Sequence, residues 1–222
     1  EEQRMSLSRD QIIQTAIALA DARGIEAVSM RSIADKLGVR AMSLYHYVKN
    51  KAELLDGMHE RLIYEMRLPA STDSWEDALQ EAAHAYREVA LRHPNAFVLM
   101  ATRPLSTPGE LEHIAPTLHA LDAFGVSPEW QLFIISAFFN SINGYLLAEV
   151  SPTPGYAEVA NSHIARPNRE SPTLVRLMFD MDQSEEGADF LSTHFDAYVE
   201  MLVIGLRGAL AGREAQETRP RA

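Results

Sequence analysis

The chain has 222 residues, 46% of apolar types and 23% charged, with no cysteine, which is material for one or two domains. That composition excludes wholesale disorder, a disulfide framework, a thiolate metal centre and a cysteine nucleophile. A net charge of −11 excludes indiscriminate coating of nucleic acid, although an average can hide a local basic patch.

The first residues, Glu1-Glu2-Gln3-Arg4, lack the apolar core of a signal peptide. No run approaches the ~18 apolar residues of a spanning helix, since Asn140 and Asn143 interrupt the best candidate. These features lead to the expectation of a cytoplasmic protein with no membrane partner. Further along, Ser8 with Gln11 forms a capping box ahead of Ile12, Ile13, Ala16, Leu19 and Ala20 at helical spacing. Gly24 is a natural terminator for that helix. Ser29 caps a short helix bearing Ile33, Ala34 and Leu37, which Gly38 ends. A third short helix starts near Arg40 and runs to Val48, and Asn50 caps a fourth that reaches about Leu68.

Pro69 and the polar stretch Ala70 to Ser74 mark a linker, so residues 1–68 and 69–222 are expected to be separate domains. Helices are predicted from Trp75 to about His93, from Gly109 to Phe124, from Glu129 to Glu149 and from Gly187 to Ala211. The segment Ser151 to Pro172 has the composition of a loop, and the tail from Gly212 that of a frayed end. No alternating strand pattern and no repeat is present. The predicted fold is all-α.

The charge is unevenly distributed. Between Ser29 and Lys51, five basic residues (Arg31, Lys36, Arg40, Lys49, Lys51) face one acid, Asp35, for a net +4. Residues 69–222 carry ten basic and twenty-one acidic side chains. The basic cluster coincides with the two short helices joined by Gly38 and Val39, a spacing that fits a helix-turn-helix. Ile33, Ala34, Val39 and Leu44 are expected to face inward, leaving Arg40, Met42, Ser43, Tyr45 and His46 outward on the second helix.

The stretch Ser29-Met-Arg-Ser-Ile-Ala-Asp-Lys-Leu-Gly-Val, followed by Leu44-Tyr-His-Tyr-Val-Lys-Asn-Lys and Leu54-Leu, resembles the DNA-binding domain of the tetracycline-repressor (TetR) family. Trp75 after the linker, Ala101-Thr-Arg-Pro, Phe124-Gly-Val-Ser, Gly144 and Ser171-Pro-Thr extend the resemblance toward the tetracycline repressors themselves. It implies an N-terminal three-helix helix-turn-helix domain and a larger helical domain for ligand binding and dimerisation. The implied partners are an operator in double-stranded DNA, a small-molecule effector and a second copy of the chain. By position, Arg31, Arg40, Met42 and Ser43 are expected to read bases, and Ser29, Tyr45, His46 and Lys51 to hold phosphates.

The same resemblance places Arg67, Tyr86, Leu99, Thr102, Arg103, Phe139, Asn140 and Asn143 around an effector cavity. In the tetracycline repressors a histidine precedes the Thr-Arg-Pro segment and ligates the metal of a metal–drug chelate; Leu99 stands there in this chain. The expected effector is therefore a largely apolar molecule held without a metal, and no cofactor is expected.

Other chemistry is poorly represented. No two of the eight histidines are four residues apart, and His113 and His119 point to different faces of one helix. Glu110 and Glu112 beside a Pro-Gly turn suit a helix start better than acid–base work. Phosphate-loop and nucleophile-elbow motifs are missing, so no enzyme activity is expected. The rival reading is a small-molecule-binding or enzymatic helical protein whose basic N-terminal bundle is incidental. The apolar 129–149 helix is expected to divide its faces between a cavity and a dimer interface shared with the 187–211 helix.

Overall fold

The computed structural model describes residues 7–150 and 190–217, and every regular element among them is helical. The order is α1 (Arg9–Arg23), α2 (Met30–Leu37), α3 (Ala41–Leu44), α4 (Lys51–Ile63), α5 (Trp75–Arg92), α6 (Val98–Thr102), α7 (Pro108–Ala123), α8 (Pro128–Val150) and α9 (Phe190–Glu217). The expected loop from Ser151 to Pro172 lies outside the described residues.

Local chemistry sets the starts of the N-terminal helices. The Ser8 hydroxyl accepts the Gln11 amide N–H while the Gln11 side chain accepts the Ser8 N–H, which is the expected capping box. Ser29 does the same for α2 with Ser32, and the Asn50 side chain accepts the Glu53 N–H to open α4. Gly38 ends α2 in the left-handed region at φ 67°, where a side chain is strained. Ile33, Ala34, Leu44, Val48 and Leu54 are buried against Ile12, Ala16 and Ala20 of α1, so α1, α2 and α3 form one bundle with the start of α4.

Two helices are shorter than expected. Regular helix in α3 stops at Leu44, and Tyr45 to Tyr47 continue as turns. Tyr45, His46 and Tyr47 are weak helix formers, and buried Val48 draws the chain back to the core before Asn50 starts the next helix. Helix α4 ends at Ile63 rather than Leu68, because Glu65 and Met66 close three-residue turns on Leu62 and Ile63.

The second unit packs α5 against α7, α8 and α9, with α6 wedged between α4 and α8. By length and hydropathy α8 would suffice to cross a membrane. Here its inner face (Ile134, Phe138, Ile142, Leu146) is fully buried in the core. Ile142, on the helix expected to divide its faces between a cavity and a dimer interface, is a core residue of its own chain. The outer faces of α8 and α9 expose Leu132, Phe133, Met201 and Ile204 instead, each more than half exposed. Among the described residues, a methyl group added at Gly144, Gly205 or Gly208 would meet nothing within 4 Å, so those glycines serve no close approach there. Within the expected frayed tail, helix α9 continues through Gly212 to Glu217, and residues 218–222 lie outside the described residues.

Candidate functional site

Two surfaces concentrate the sequence-predicted residues. On the N-terminal bundle, Arg31, Arg40, Met42, Tyr45, His46 and Lys51 are all exposed, and Ser43 is half-buried. Met42 is 73% exposed. Ser29 lies at the N-terminus of α2 with its hydroxyl occupied by the helix cap. Tyr47, 39% exposed, joins this surface; its position in the aromatic run Tyr45-His-Tyr was the available signal. The short α3 presents this group because Leu44 anchors its inner side at 0% exposure.

The other is a partly open cavity. A cavity of about 350 Å³ lies where α4, α5, α6, α7 and α8 converge. Tyr86, Arg103, Phe139, Asn140 and Asn143, all expected there, line it. Tyr86 donates to Asn143 Oδ1 at 2.7 Å, and its ring meets Phe139 edge-on at 5.3 Å between centroids. Burial pushes the Tyr86 hydroxyl above its ordinary range, which keeps it a neutral donor. Arg103 is committed to an ion pair with Asp56 of α4.

Three expected residues are not at the cavity. Helix α6 turns Met100 toward it, and Arg103, extended just past the helix end, lines it as well. Leu99 is thereby rotated into the core at 5% exposure, and Thr102 faces out with its hydroxyl donated to the Val98 carbonyl. The early end of α4 has a similar effect: Met66 lines the cavity and Arg67 is exposed.

A pair that sequence reasoning missed completes the wall. His59 of α4 lines the cavity, and its Nδ1 lies 2.7 Å from Glu110 Oε1 at the start of α7. Glu110 Oε2 accepts the backbone N–H groups of Ser106 and Thr107 at 2.7 and 2.9 Å. Burial alone would raise the Glu110 carboxyl; those two N–H groups and His59 outweigh it and hold the group below the ordinary carboxylate range. The separation of 51 positions hid the pair, though Glu110 was recognisable as a helix-starting acid. Among the described residues, no three histidine or carboxylate side chains are grouped to hold a metal ion.

Helix α4 joins the two surfaces. It begins at exposed Lys51 beside α3, and it carries Asp56, His59 and Ile63 to the cavity side. Glu60 adds a bond from the Thr107 hydroxyl at 3.2 Å, so one face of α4 is fastened to the loop ahead of α7.

Comparisons with known proteins agree with this layout. Residues 12–58 match the family described as "Bacterial regulatory proteins, tetR family", and residues 68–209 match "Tetracyclin repressor-like, C-terminal domain". A Saccharopolyspora erythraea protein named HTH-type transcriptional regulator is 32% identical over 213 residues, covering 94% of this chain and 87% of the relative. The Escherichia coli tetracycline repressor protein class E is 29% identical over 214 residues, covering 95% and 92%. Among solved structures, the Streptomyces coelicolor TetR family protein ActR in complex with actinorhodin superposes with a TM-score of 0.75 at 23% identity, covering 92% of this chain and 97% of that one. With both halves of the chain matched in order, and a relative above 30% identity along nearly its full length, the chain belongs to the tetR family of bacterial regulatory proteins.

Proposed function

We propose that the chain is a ligand-responsive transcriptional repressor, binding a palindromic DNA operator as a homodimer and released by a small molecule. In this reading residues 1–68 read DNA through Arg31, Arg40, Met42 and Ser43 and hold phosphates through Ser29, Tyr45, His46 and Lys51. Residues 69–222 bind the effector and dimerise. The observation that carries the reading is α4, one helix with a basic, exposed start beside α3 and a cavity-lining end. A ligand that displaces this helix changes the setting of both recognition helices, so a conformer mismatched to successive major grooves becomes favoured.

Two-fold pairing is supported by the exposed apolar faces of α8 and α9, which form a bundle when joined to a second copy. The effector is a largely apolar molecule held without a metal. Aromatic and aliphatic walls support this.

Selection of duplexes from a random pool, followed by salt titration of the winners, tests the reading. The expected results are an inverted repeat and a steep negative log–log slope against salt. Candidate effectors are then scored for release of that duplex with and without chelator, and chelator-insensitive release is expected. A shallow salt slope without sequence preference would favour the small-molecule-binding or enzymatic alternative.

A further inference from the structure

The apolar walls of the cavity give no reason for a buried His–Glu pair. His59 is 2% exposed and Glu110 0% exposed, so both were taken from water at considerable cost, and each is oriented by bonds to fixed partners. In the neutral form of His59, the one the proposal concerns, Glu110 as acceptor places the proton on Nδ1 and the lone pair on Nε2. Among the described residues Nε2 has no hydrogen-bond partner, yet it is not sealed off; the one sealed, partnerless side-chain polar atom among them is Asp21 Oδ1. His59 is thus a pre-oriented acceptor on the wall of a cavity whose other walls include Tyr86 and Phe139.

We propose that His59 Nε2 is the anchor for an acidic hydroxyl, a phenol or enol, carried by the ring system that the cavity holds. The proposal deepens the effector-cavity reading above and rests on it. A phenolic or enolic O–H supplies the proton that the lone pair lacks, and its planar ring suits an edge-lined aromatic wall. A carboxylate offers no proton to Nε2, and an ammonium would bring a second cation into an apolar cavity beside Arg103. Glu110 is a positioning residue here: it acts through the His59 tautomer and does not touch the ligand. Because His59 belongs to α4, occupation of Nε2 is felt on the helix that starts at Lys51.

The test is calorimetry on the full chain with para-nitrophenol and its methyl ether, para-nitroanisole, which differ in the hydroxyl proton. Wild-type protein is expected to bind the phenol at least tenfold more tightly than the ether, and to shift the absorption of the bound phenol toward that of its anion. His59→Phe keeps a ring in place and is expected to bind both probes within threefold of each other, without the spectral shift. Equal binding of the two probes by wild type overturns the anchor while leaving the cavity reading in place. A phenol preference that survives in His59→Phe also overturns the assignment. Binding of neither probe overturns both the anchor and the cavity reading. The wild-type comparison needs no variant, so a poorly folded His59→Phe does not remove the test.

Discussion

His93 Nδ1 lies 2.7 Å from Asp21 Oδ2, tying the last turn of α1 to the end of α5. On the other side of the ring, Nε2 lies 3.1 Å from Glu65 Oε2, just past the end of α4. A ring with a carboxylate at each nitrogen is satisfied only as the imidazolium, which donates twice. The N-terminal bundle is therefore fastened to the second unit by a charged group as well as by apolar contact.

That clasp gives stability a pH dependence. The bond to Asp21 contributes most to raising His93; burial opposes it and the bond to Glu65 adds to it. A raised histidine stabilises the fold below its ordinary value of about 6.5, and loses that contribution as pH climbs through the raised value. Burial pushes Glu65 up, but Arg92 and His93 together hold it below its ordinary 4.5, so its contribution is present above 4.5 and fades as pH falls through the depressed value. His93→Gln is expected to cost roughly 1.5–3 kcal/mol. Urea melts of both proteins should differ most between about pH 4.5 and 6.5, with the gap narrowing in alkali. A gap that is constant with pH would show that the imidazolium is not the stabilising species.

The proposed roles of Arg40 and Lys51, base reading and phosphate holding, make different predictions. Arg40→Ala is expected to relax choice at one position in each half-site by roughly 1–3 kcal/mol, while other positions keep their preferences. Lys51→Ala should weaken all duplexes about equally and make the salt slope shallower by about one. Binding to single-substitution operator variants distinguishes them. A uniform loss in Arg40→Ala would remove it from the base readers.

The α8–α9 face and the core of α8 respond differently to a charge. Ile204 is 51% exposed, so Ile204→Asp is expected to leave the fold intact and yield monomers by light scattering. Ile142 is 0% exposed, and Ile142→Asp strands a carboxylate in hydrocarbon at a cost of several kcal/mol. Insoluble or unfolded chain is expected there. A folded dimer in Ile204→Asp would place the interface elsewhere.

Gly38 isolates backbone strain from packing. An added methyl group meets nothing within 4 Å among the described residues, yet the residue sits at φ 67°. Gly38→Ala should therefore cost about 1–2 kcal/mol through conformation alone. Thermal melts measure the loss, and a neutral substitution would mean that the turn between α2 and α3 relaxes freely.

What the sequence by itself determined is local or statistical. Ser8 with Gln11, Ser29 and Asn50 open helices through bonds within three residues, so their chemistry is readable without a fold. The basic segment between Ser29 and Lys51, and the long motif around it, likewise announced the family. Tertiary structure decided which face each helix turned inward. Leu99 and Met100 are adjacent and both apolar, and only the seat of α6 between α4 and α8 sends Met100 to the cavity and Leu99 to the core. Ile142 and Ile204 are the same residue type, yet one is core and the other exposed, because α8 is covered on its inner side by α5 and α9. His59 and Glu110 share no periodic signal across 51 residues; their pairing depends on where α4 and α7 cross, and burial then makes each the partner the other needs.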